Sequence, residues 1–242
     1  MTTPLRLYIN VDHVATLREV RRATYPDPAR AAALCEAAGA DGITAHLRED
    51  RRHIHDHDVE RLTSTVRTVL NLEMACTEEM LRIAERLRPY QVTLVPERRE
   101  EITTEGGLDV TREQGALRSA IERIRAAGSR ASLFIDADPV MVQASRELRA
   151  DAIELHTGPY AHHPGDPRPL AALRAASARG ADLGLAVHAG HGLTVANVGP
   201  VAAIPLIEEL NIGHAIVAQA VYIGIEAAVR EMRAAMDAAR RS

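Results

Sequence analysis

Residues that could carry out acid–base chemistry follow short apolar segments along most of this chain. If those segments are parallel strands, the polar residues at their carboxyl ends meet on one face of the fold. Carboxylates and imidazoles gathered in this way can act as general acids and bases, although each could instead be a hydrogen-bonded rim residue. The residues at these positions are Asn10, Asp12, His13, His46, Arg48, Glu73, Glu97, Asp136, Asp138, Glu154, His156, His191 and His214.

Strand alternation indicates which of these side chains point inward. Thr44, His46 and Arg48 share one face of the second apolar segment, and Glu73 lies between Leu72 and Met74 in the third. Burial raises the pKa of a carboxyl group, so an inward Glu73 suits the role of a general base. The alternative is a carboxylate neutralised by Arg21 or Arg48.

Two glycine-containing turns and one arginine-rich segment could bind anions. The turns 190–192 and 213–214 would follow the last two strands, where barrels commonly bind phosphate at a helix N-terminus. The segment 48–53 carries three arginines, whose guanidinium groups match phosphate oxygens. As an alternative, this segment is a solvated loop.

The alternating histidines His53, His55 and His57 raise the possibility of a metal site. Their Arg and Asp neighbours favour an exposed loop, and the chain has no H-E-x-x-H motif or cysteine ligand set. We therefore expect no metal and no cofactor. His188 could face the barrel interior, without an assigned role.

Strand-length apolar segments alternate with segments of helical period from end to end. Helix starts are indicated by Asp27-Pro28, by Asp138-Pro139 and by a capping box from Thr111 to Gln114. The predicted strands are 5–13, 42–47, 71–75, 90–97, 131–138, 152–158, 185–189 and 206–213. Eight such units in 242 residues favour one parallel (β/α)8 TIM barrel domain spanning 1–242, with a doubly wound open sheet as the alternative.

Composition excludes several classes of function. All 29 basic residues are arginine, which rules out enzymes that need a lysine, such as Schiff-base aldolases and P-loop hydrolases. A net charge of −4 and 2% aromatic residues argue against nucleic-acid binding. With two cysteines and no recognisable signal or membrane segment, we expect a soluble cytoplasmic protein that does not bind membranes.

Several longer motifs then identify a family. They are Asn10 to Arg18, Ala38 to Ile54, Asn71 to Ala75, Leu94 to Glu97, Thr103 to Asp109, Ile153 to Gly158, Ala189 to Leu193 and Asn211 to Ala215. These segments closely resemble the pyridoxine 5′-phosphate synthase family, and the resemblance covers essentially the whole chain.

The resemblance implies a barrel with added helices that assembles as a homo-octamer. It also implies condensation of 3-amino-2-oxopropyl phosphate with 1-deoxy-D-xylulose 5-phosphate, giving pyridoxine 5′-phosphate, phosphate and water in vitamin B6 biosynthesis. His46 and Glu73 would accept protons, His191 would donate one, and Glu154 would stabilise charged intermediates. The amino-ketone phosphate would be held by Asn10, Arg21, Gly192, Gly213 and His214. The deoxyxylulose phosphate would be held by Asp12, His13, Arg48, His53 and Thr103.

Two positions depart from the family pattern. His188 stands where the family usually has Asn, and Ala218-Gln219 stands where it usually has Gly-Arg. We expect both departures to flank the phosphate site. Two other functions stay open: a metal-assisted epimerase or lyase on the same barrel, and a phosphosugar-binding protein without catalysis.

Overall fold

Eight parallel strands close into a barrel in the computed structural model, which describes residues 4–97 and 106–241. The strands are β1 (Arg6–Asn10), β2 (Gly42–His46), β3 (Leu70–Met74), β4 (Gln91–Leu94), β5 (Arg130–Ile135), β6 (Ala152–His156), β7 (Ala186–Gly190) and β8 (Glu209–Ile212). Each pairs in parallel with the next, and β8 pairs with β1. The predicted (β/α)8 barrel is confirmed, and most of its strands are shorter than the predicted apolar segments.

Helices surround the barrel, and some of the strand-to-strand connections contain two of them. They are α1 (Asp12–Arg21), α2 (Pro28–Ala37), α3 (Asp56–Thr65), α4 (Glu78–Leu87), α5 (Gln114–Ala126), α6 (Pro139–Glu147), α7 (Gly158–His162), α8 (Pro167–Asp182), α9 (Val198–Ala202), α10 (His214–Ile223) and α11 (Ile225–Arg241). The extra helices α1, α7 and α10 begin at the carboxyl ends of β1, β6 and β8. Among the described residues, no helix is both long and apolar enough to cross a bilayer.

Local sequence explains several helix starts. The side chains of Asp27 and Asp138 each accept a hydrogen bond from the backbone N–H two residues later, and a proline follows each. The predicted capping box at Thr111 is wrong, because Thr111 donates its hydroxyl to Asp109 at 2.6 Å and α5 begins after Glu113. The predicted first strand is also too long, since Asp12 starts α1.

The strand register brings the inward polar residues into layers. His46 is the register partner of Glu73, and one layer lower His188 pairs with both Glu154 and Glu209. The alternate side chains of the strands, such as Ile43, are buried against the helices. The barrel interior is therefore polar, whereas the layer between strands and helices is apolar.

The two departures from the family pattern lie elsewhere than expected. His188 is fully buried in the barrel interior, with Nδ1 3.3 Å from Glu209 Oε1, and burial lowers the pKa of His188 to about 3. Gln219 lies on α10 and donates a hydrogen bond to Glu231 on α11 at 2.9 Å. Neither residue, nor Ala218, is among the described residues that line the site below, so this expectation is wrong.

Candidate active site

A cavity of about 720 Å³ opens at the carboxyl ends of the strands. Most of the predicted site residues line it, although they are spread over four strands, β1, β2, β3 and β6, and the segments that follow β1, β2, β7 and β8. The predicted catalytic residues among its walls are His46, Glu73, Glu154 and His191. The predicted binding residues among its walls are Asn10, Asp12, His13, Arg48, His53, Gly192, Gly213 and His214.

Glu73 and His46 lie side by side on one wall of the cavity. Oxygens of Asp12 and Glu73 and a ring nitrogen of His46 all lie within 4.8 Å of one another. Asp12 Oδ1 also accepts the backbone N–H of His46 at 2.8 Å, which ties the start of α1 to the end of β2. Burial raises the pKa of Glu73, and the charge of Asp12 adds to the effect. The prediction that Glu73 is an inward carboxyl group of raised pKa is confirmed.

His46 also has a carboxylate partner that the sequence interpretation left without a role. Its Nε2 atom lies 2.9 Å from Glu97 Oε1. Burial alone would lower the pKa of His46, but the bond to Glu97 and the charges of Glu73 and Asp12 outweigh it, so the pKa is raised.

Glu154 forms part of the cavity floor, where it is almost completely buried. Its Oε2 atom accepts a hydrogen bond from the side chain of Asn211 at 3.0 Å, and the Asn211 oxygen accepts one from Thr44 at 2.7 Å. Burial raises the pKa of Glu154 well above the ordinary carboxyl value, and the charges of Glu73 and Glu209 raise it further. Burial and the neighbouring charges therefore favour the neutral form of Glu154, and the Asn211 bond fixes its position.

His191 follows β7 in a turn of unusual backbone geometry. It has a φ of +85°, and Gly192 after it has a φ of +75°. Left-handed geometry at a non-glycine residue is uncommon and costs free energy, so the turn has to be held by its surroundings. The Thr157 hydroxyl lies 2.7 Å from the Gly190 carbonyl oxygen and 2.5 Å from that of His191. The His191 ring contacts the ring of His156 edge-on, with centroids 5.1 Å apart.

The first of two candidate anion-binding corners lies at the start of α10. Gly213 precedes the helix, and Gly213, His214 and Ala215 all line the cavity, so the first N–H groups of a ten-residue helix lie at its wall. The His214 ring packs edge-on against His13, with centroids 5.1 Å apart. The corner offers imidazole groups and a helix N-terminus to one phosphate.

The second anion-binding corner lies in the loop after β2. Arg48, Arg52 and His53 line the cavity there. The loop is tied down by Arg18, which donates to the His53 carbonyl oxygen at 2.9 Å and forms a two-pronged ion pair with Asp58 at 2.6 and 2.7 Å. Burial lowers the pKa of His53. The segment predicted to bind an anion therefore does border the cavity.

Two predicted binding residues are not found at the cavity. Arg21 is exposed at the far end of α1, and Thr103 lies outside the described residues. Conversely, sequence reasoning gave no role to Glu97 and did not single out Asn211. Glu97 was included among the polar residues at strand ends, but its partner His46 is 51 residues away and only the fold reveals the pair.

Asp12, His46 and Glu73 converge closely enough to be compared with a cation site. One oxygen of Asp12 already accepts the His46 N–H, and the other accepts from the Asn10 side chain at 2.9 Å. Nε2 of His46 faces Glu97. The donor atoms of the cluster are thus largely engaged by protein hydrogen bonds, which does not match an open metal site.

Comparison with known proteins assigns the family. The model of the family described as "Pyridoxal phosphate biosynthesis protein PdxJ" matches residues 7–238. The chain belongs to this family. The resemblance predicted from the sequence motifs is therefore confirmed, and with it the assignment to enzymes of vitamin B6 biosynthesis.

Curated relatives agree with this family assignment. The chain is 57% identical over 235 residues to pyridoxine 5′-phosphate synthase of Synechococcus sp. (strain JA-2-3B'a(2-13)), covering 96% of this chain and 98% of the relative. It is 55% identical over 235 residues, with the same coverage, to the enzyme of that name from Crocosphaera subtropica.

Solved structures share the fold at low sequence identity. KGPDC from Streptococcus mutans superposes with a TM-score of 0.67 at 10% identity, covering 97% of this chain and 98% of the other. Phosphoribosyl anthranilate isomerase from Thermus thermophilus gives a TM-score of 0.61 at 17% identity, covering 97% and 99%. At these identities the likeness supports the barrel fold alone.

Proposed function

We propose that the cavity of this PdxJ-family member is the active site of a pyridoxine 5′-phosphate synthase. It would condense 3-amino-2-oxopropyl phosphate with 1-deoxy-D-xylulose 5-phosphate and release phosphate and water. The observation that carries the proposal is that two carboxyl groups, Glu73 and Glu154, line the same cavity as two separate candidate anion-binding corners. A condensation gains most from holding both partners in reacting geometry, and two phosphates give it two anchors.

The amino-ketone phosphate would occupy the corner at the start of α10. Gly192, Gly213 and His214 would hold its phosphate, and Asn10 would contact the same substrate at the end of β1. The deoxyxylulose phosphate would lie towards the loop after β2, against Arg48 and His53, with Asp12 and His13 beside it. Thr103 is proposed to contact this second substrate as well.

The amine of the first substrate would attack the ketone of the second, so both atoms of the new C–N bond come from the substrates. This fits a chain without lysine, because no enzyme amine takes part. Glu73 and His46 would then remove protons from carbon and hydroxyl. Burial raises the pKa of Glu73 to about 7, near neutral pH, which favours proton transfer in either direction. The pKa of His46 is raised as well, by its bond to Glu97 and by the charges of Glu73 and Asp12.

His191 and Glu154 would act on the other side of the condensing pair. His191 would deliver a proton to a departing oxygen, and its position at a strained turn between the two glycines brings the ring to the cavity. Glu154 would lie beside the nitrogen on which positive charge develops. The carboxylate would then stabilise that charge.

Self-association is proposed from the family resemblance, with a homo-octamer as the expected state, together with a cytoplasmic location. Leu17 and Val20 of α1, and Val221 and Tyr222 of α10, are exposed apolar side chains on neighbouring helices. Arg21 lies on α1 nine residues after Asp12, which is about 14 Å along a helix axis. It would therefore serve a phosphate in a neighbouring copy. Light scattering of the purified protein tests the octamer.

The reaction test uses both substrates with the purified protein. We expect inorganic phosphate and a pyridine absorbance to appear together, and neither to appear when one substrate is omitted. A related synthase of known activity serves as the positive control. If the control turns over and this protein does not, the proposed activity is wrong, and tight binding of either substrate would then indicate a phosphosugar-binding protein.

A further inference from the structure

Glu97 has no part in the mechanism proposed above, although it contacts one of its central residues. It lies three residues after β4 and reaches across the end of β3 to His46 on β2. The two side chains are each only 7% exposed, and Glu97 Oε1 lies 2.9 Å from His46 Nε2. A contact this short and this buried orders both groups strongly.

Both oxygens of the Glu97 carboxylate are engaged. While Oε1 faces His46, Oε2 accepts the backbone N–H of Glu49 at 3.0 Å. The carboxylate cannot rotate away from the imidazole without losing the second bond. Burial alone would raise the pKa of Glu97, but the contact with His46 outweighs it and the pKa is lowered, so Glu97 is an anion that only accepts hydrogen bonds.

An acceptor at Nε2 fixes the tautomer of the neutral imidazole. The proton then resides on Nε2, and Nδ1 carries the lone pair. The backbone of His46 is held separately, by the bond from its N–H to Asp12 Oδ1 at 2.8 Å. Asp12 therefore fixes the position of the residue, whereas Glu97 fixes the orientation and tautomer of the ring.

We propose that Glu97 is a positioning residue that keeps His46 in the Nε2–H tautomer, so that Nδ1 is the nitrogen that accepts a proton from substrate. This rests on the proposed function, in which His46 is a proton acceptor. A carboxylate that holds a catalytic imidazole in this way also stabilises the imidazolium that forms when the proton arrives. Glu97 itself touches no reacting atom.

The competing explanation is that Glu97 only stabilises the loop after β2 through the Glu49 N–H. The two explanations differ in what happens to the ring of His46. A merely structural residue could be replaced with little change in the protonation of a folded site, whereas a positioning residue could not. The charged and titratable groups around His46 are Asp12 on α1, Glu73 on β3, His53 in the same loop and Glu97.

The first test is a nitrogen-15 NMR titration of the histidine side chains in the full protein without substrates. His46 is assigned by the loss of its signals in His46→Gln. We expect the Nε2–H tautomer in the wild type, and a lower midpoint for His46 in Glu97→Gln, which keeps the shape but removes the charge. Glu49→Gln is the matched control, because it removes an exposed carboxylate from the same loop without touching the backbone N–H. An unchanged midpoint and tautomer distribution in Glu97→Gln would overturn the proposal.

The second test separates catalysis from binding. In Glu97→Ala we expect kcat to fall by about 10² or more with KM for both substrates within a few-fold, because a misoriented base slows the proton transfer. Glu97→Asp should recover part of kcat, since it restores the charge. Circular dichroism and thermal unfolding establish that each variant is folded, and Glu97→Gln and Glu97→Asp remain usable if Glu97→Ala does not fold.

The two tests fail in distinguishable ways. If the wild type makes no pyridine product, the proposed function is wrong, while the NMR titration still decides whether Glu97 sets the state of His46. If the wild type is active and Glu97→Ala retains kcat within three-fold, the positioning role is wrong and the proposed function stands.

Discussion

The side-chain amide of Asn211 joins Glu154 to the centre of the barrel by donating to its carboxyl group at 3.0 Å. The oxygen of the same amide accepts the hydroxyl of Thr44 at 2.7 Å, so the amide has one orientation. The bond network therefore links β2, β6 and β8 directly beneath the cavity. Asn211 therefore fixes Glu154 from the barrel interior, and Glu154 lines the cavity on its other side.

Gly190 leaves room for Glu154, so Gly190→Ala should impair the site. A Cβ at this position would lie 2.4 Å from Glu154 Oε1 and 2.9 Å from the Asn211 carbonyl oxygen, and the backbone atom cannot move away. We expect kcat to fall by about 10² or more and the free energy of unfolding to fall by roughly 1–3 kcal/mol. Steady-state kinetics and urea unfolding measure the two effects.

The matched control for this prediction is Gly115→Ala in α5, where a Cβ would meet nothing within 4 Å. That change should leave kcat unaltered and stabilise the protein by about 0.5–1 kcal/mol. Wild-type kinetics in Gly190→Ala would mean that Glu154 can move without consequence.

Glu73→Gln should remove most of the turnover while leaving substrate binding nearly normal. The amide keeps the shape of the side chain but cannot accept the proton, so kcat should fall by roughly 10² or more. Glu60→Gln, an exposed carboxylate on α3, is the control. Full activity in Glu73→Gln would remove Glu73 from the mechanism.

The pH dependence of the wild-type enzyme follows from the same residue. Glu73 has to be ionised to accept a proton, and burial raises its pKa, so kcat should be lost as the pH falls through that raised value. The acid limb of the kcat profile should therefore have its midpoint above the ordinary carboxyl range. A limb near pH 4 would show that a carboxyl group of normal pKa limits the reaction.

Asp58→Asn should destabilise the protein more than any single surface change. It would remove the buried, two-pronged carboxylate partner of Arg18 and leave the guanidinium with only the partly exposed Glu19 as a carboxylate partner, which costs about 3 kcal/mol. Arg61→Ala, which breaks an exposed pair with Asp27, should cost well under 1 kcal/mol. Urea unfolding at pH 7 compares the two, and equal small losses would show that the buried pair is dispensable.

Glu209 should make stability fall as the pH rises. Burial raises its pKa to about 7, against the opposing influence of Arg6, so the folded state holds a proton that the unfolded state has lost. The contribution of Glu209 to the free energy of unfolding is complete below the unfolded pKa near 4.5 and is lost as the pH rises through about 7. Between pH 5 and pH 8, the free energy of unfolding of Glu209→Gln should rise by roughly 1–3 kcal/mol relative to that of the wild type.

Glu208→Gln is the control for this titration, because Glu208 also contacts Arg6 but is 40% exposed. The free energy of unfolding of Glu208→Gln should depend on pH as that of the wild type does. If Glu209→Gln and the wild type have parallel stability curves over the whole range, the buried carboxyl group does not titrate as described.

Metal removal should leave the activity unchanged. The donor atoms of Asp12 and His46 are engaged by protein hydrogen bonds, so the reaction is expected to proceed on side chains alone. Activity is measured before and after dialysis against a chelator, with metal analysis of the purified protein. A loss that stoichiometric metal restores would favour the metal-assisted alternative.

The sequence predicted the barrel because each strand and helix has a local signal. Short apolar segments, and starts such as Asp138-Pro139, depend on residues close to one another in the chain. The inward direction of Glu73 follows from strand alternation for the same reason. The family motifs then supplied roles for residues that period and spacing alone could not assign.

Other features depend on long-range packing that no local pattern encodes. The bond between His46 and Glu97 spans 51 residues, and that between Glu154 and Asn211 spans 57. The helix α1 was missed because Asn10 and Asp12 alternate with the apolar Ile9 and Val11 as in a strand. In the structure the Asp12 N–H donates a hydrogen bond to the Asn10 side chain at 2.8 Å, where α1 begins. The interior position of His188 agrees with the sequence interpretation, whereas its place outside the lining of the cavity depends on packing and not on its neighbours in the chain.

The closure of the barrel has a consequence for synthesis on the ribosome. Arg6 of β1 pairs in register with Glu209 of β8, and Arg233 of α11 donates to the Leu5 carbonyl oxygen at 2.9 Å. At a synthesis rate of roughly 5–20 residues per second, about 10–40 s pass between the synthesis of β1 and that of β8. During that interval one edge of β1 has no strand to pair with, and an unpaired strand edge can pair with other chains and cause aggregation. Nascent chains of this protein should therefore depend on chaperones most strongly just before the last strand emerges.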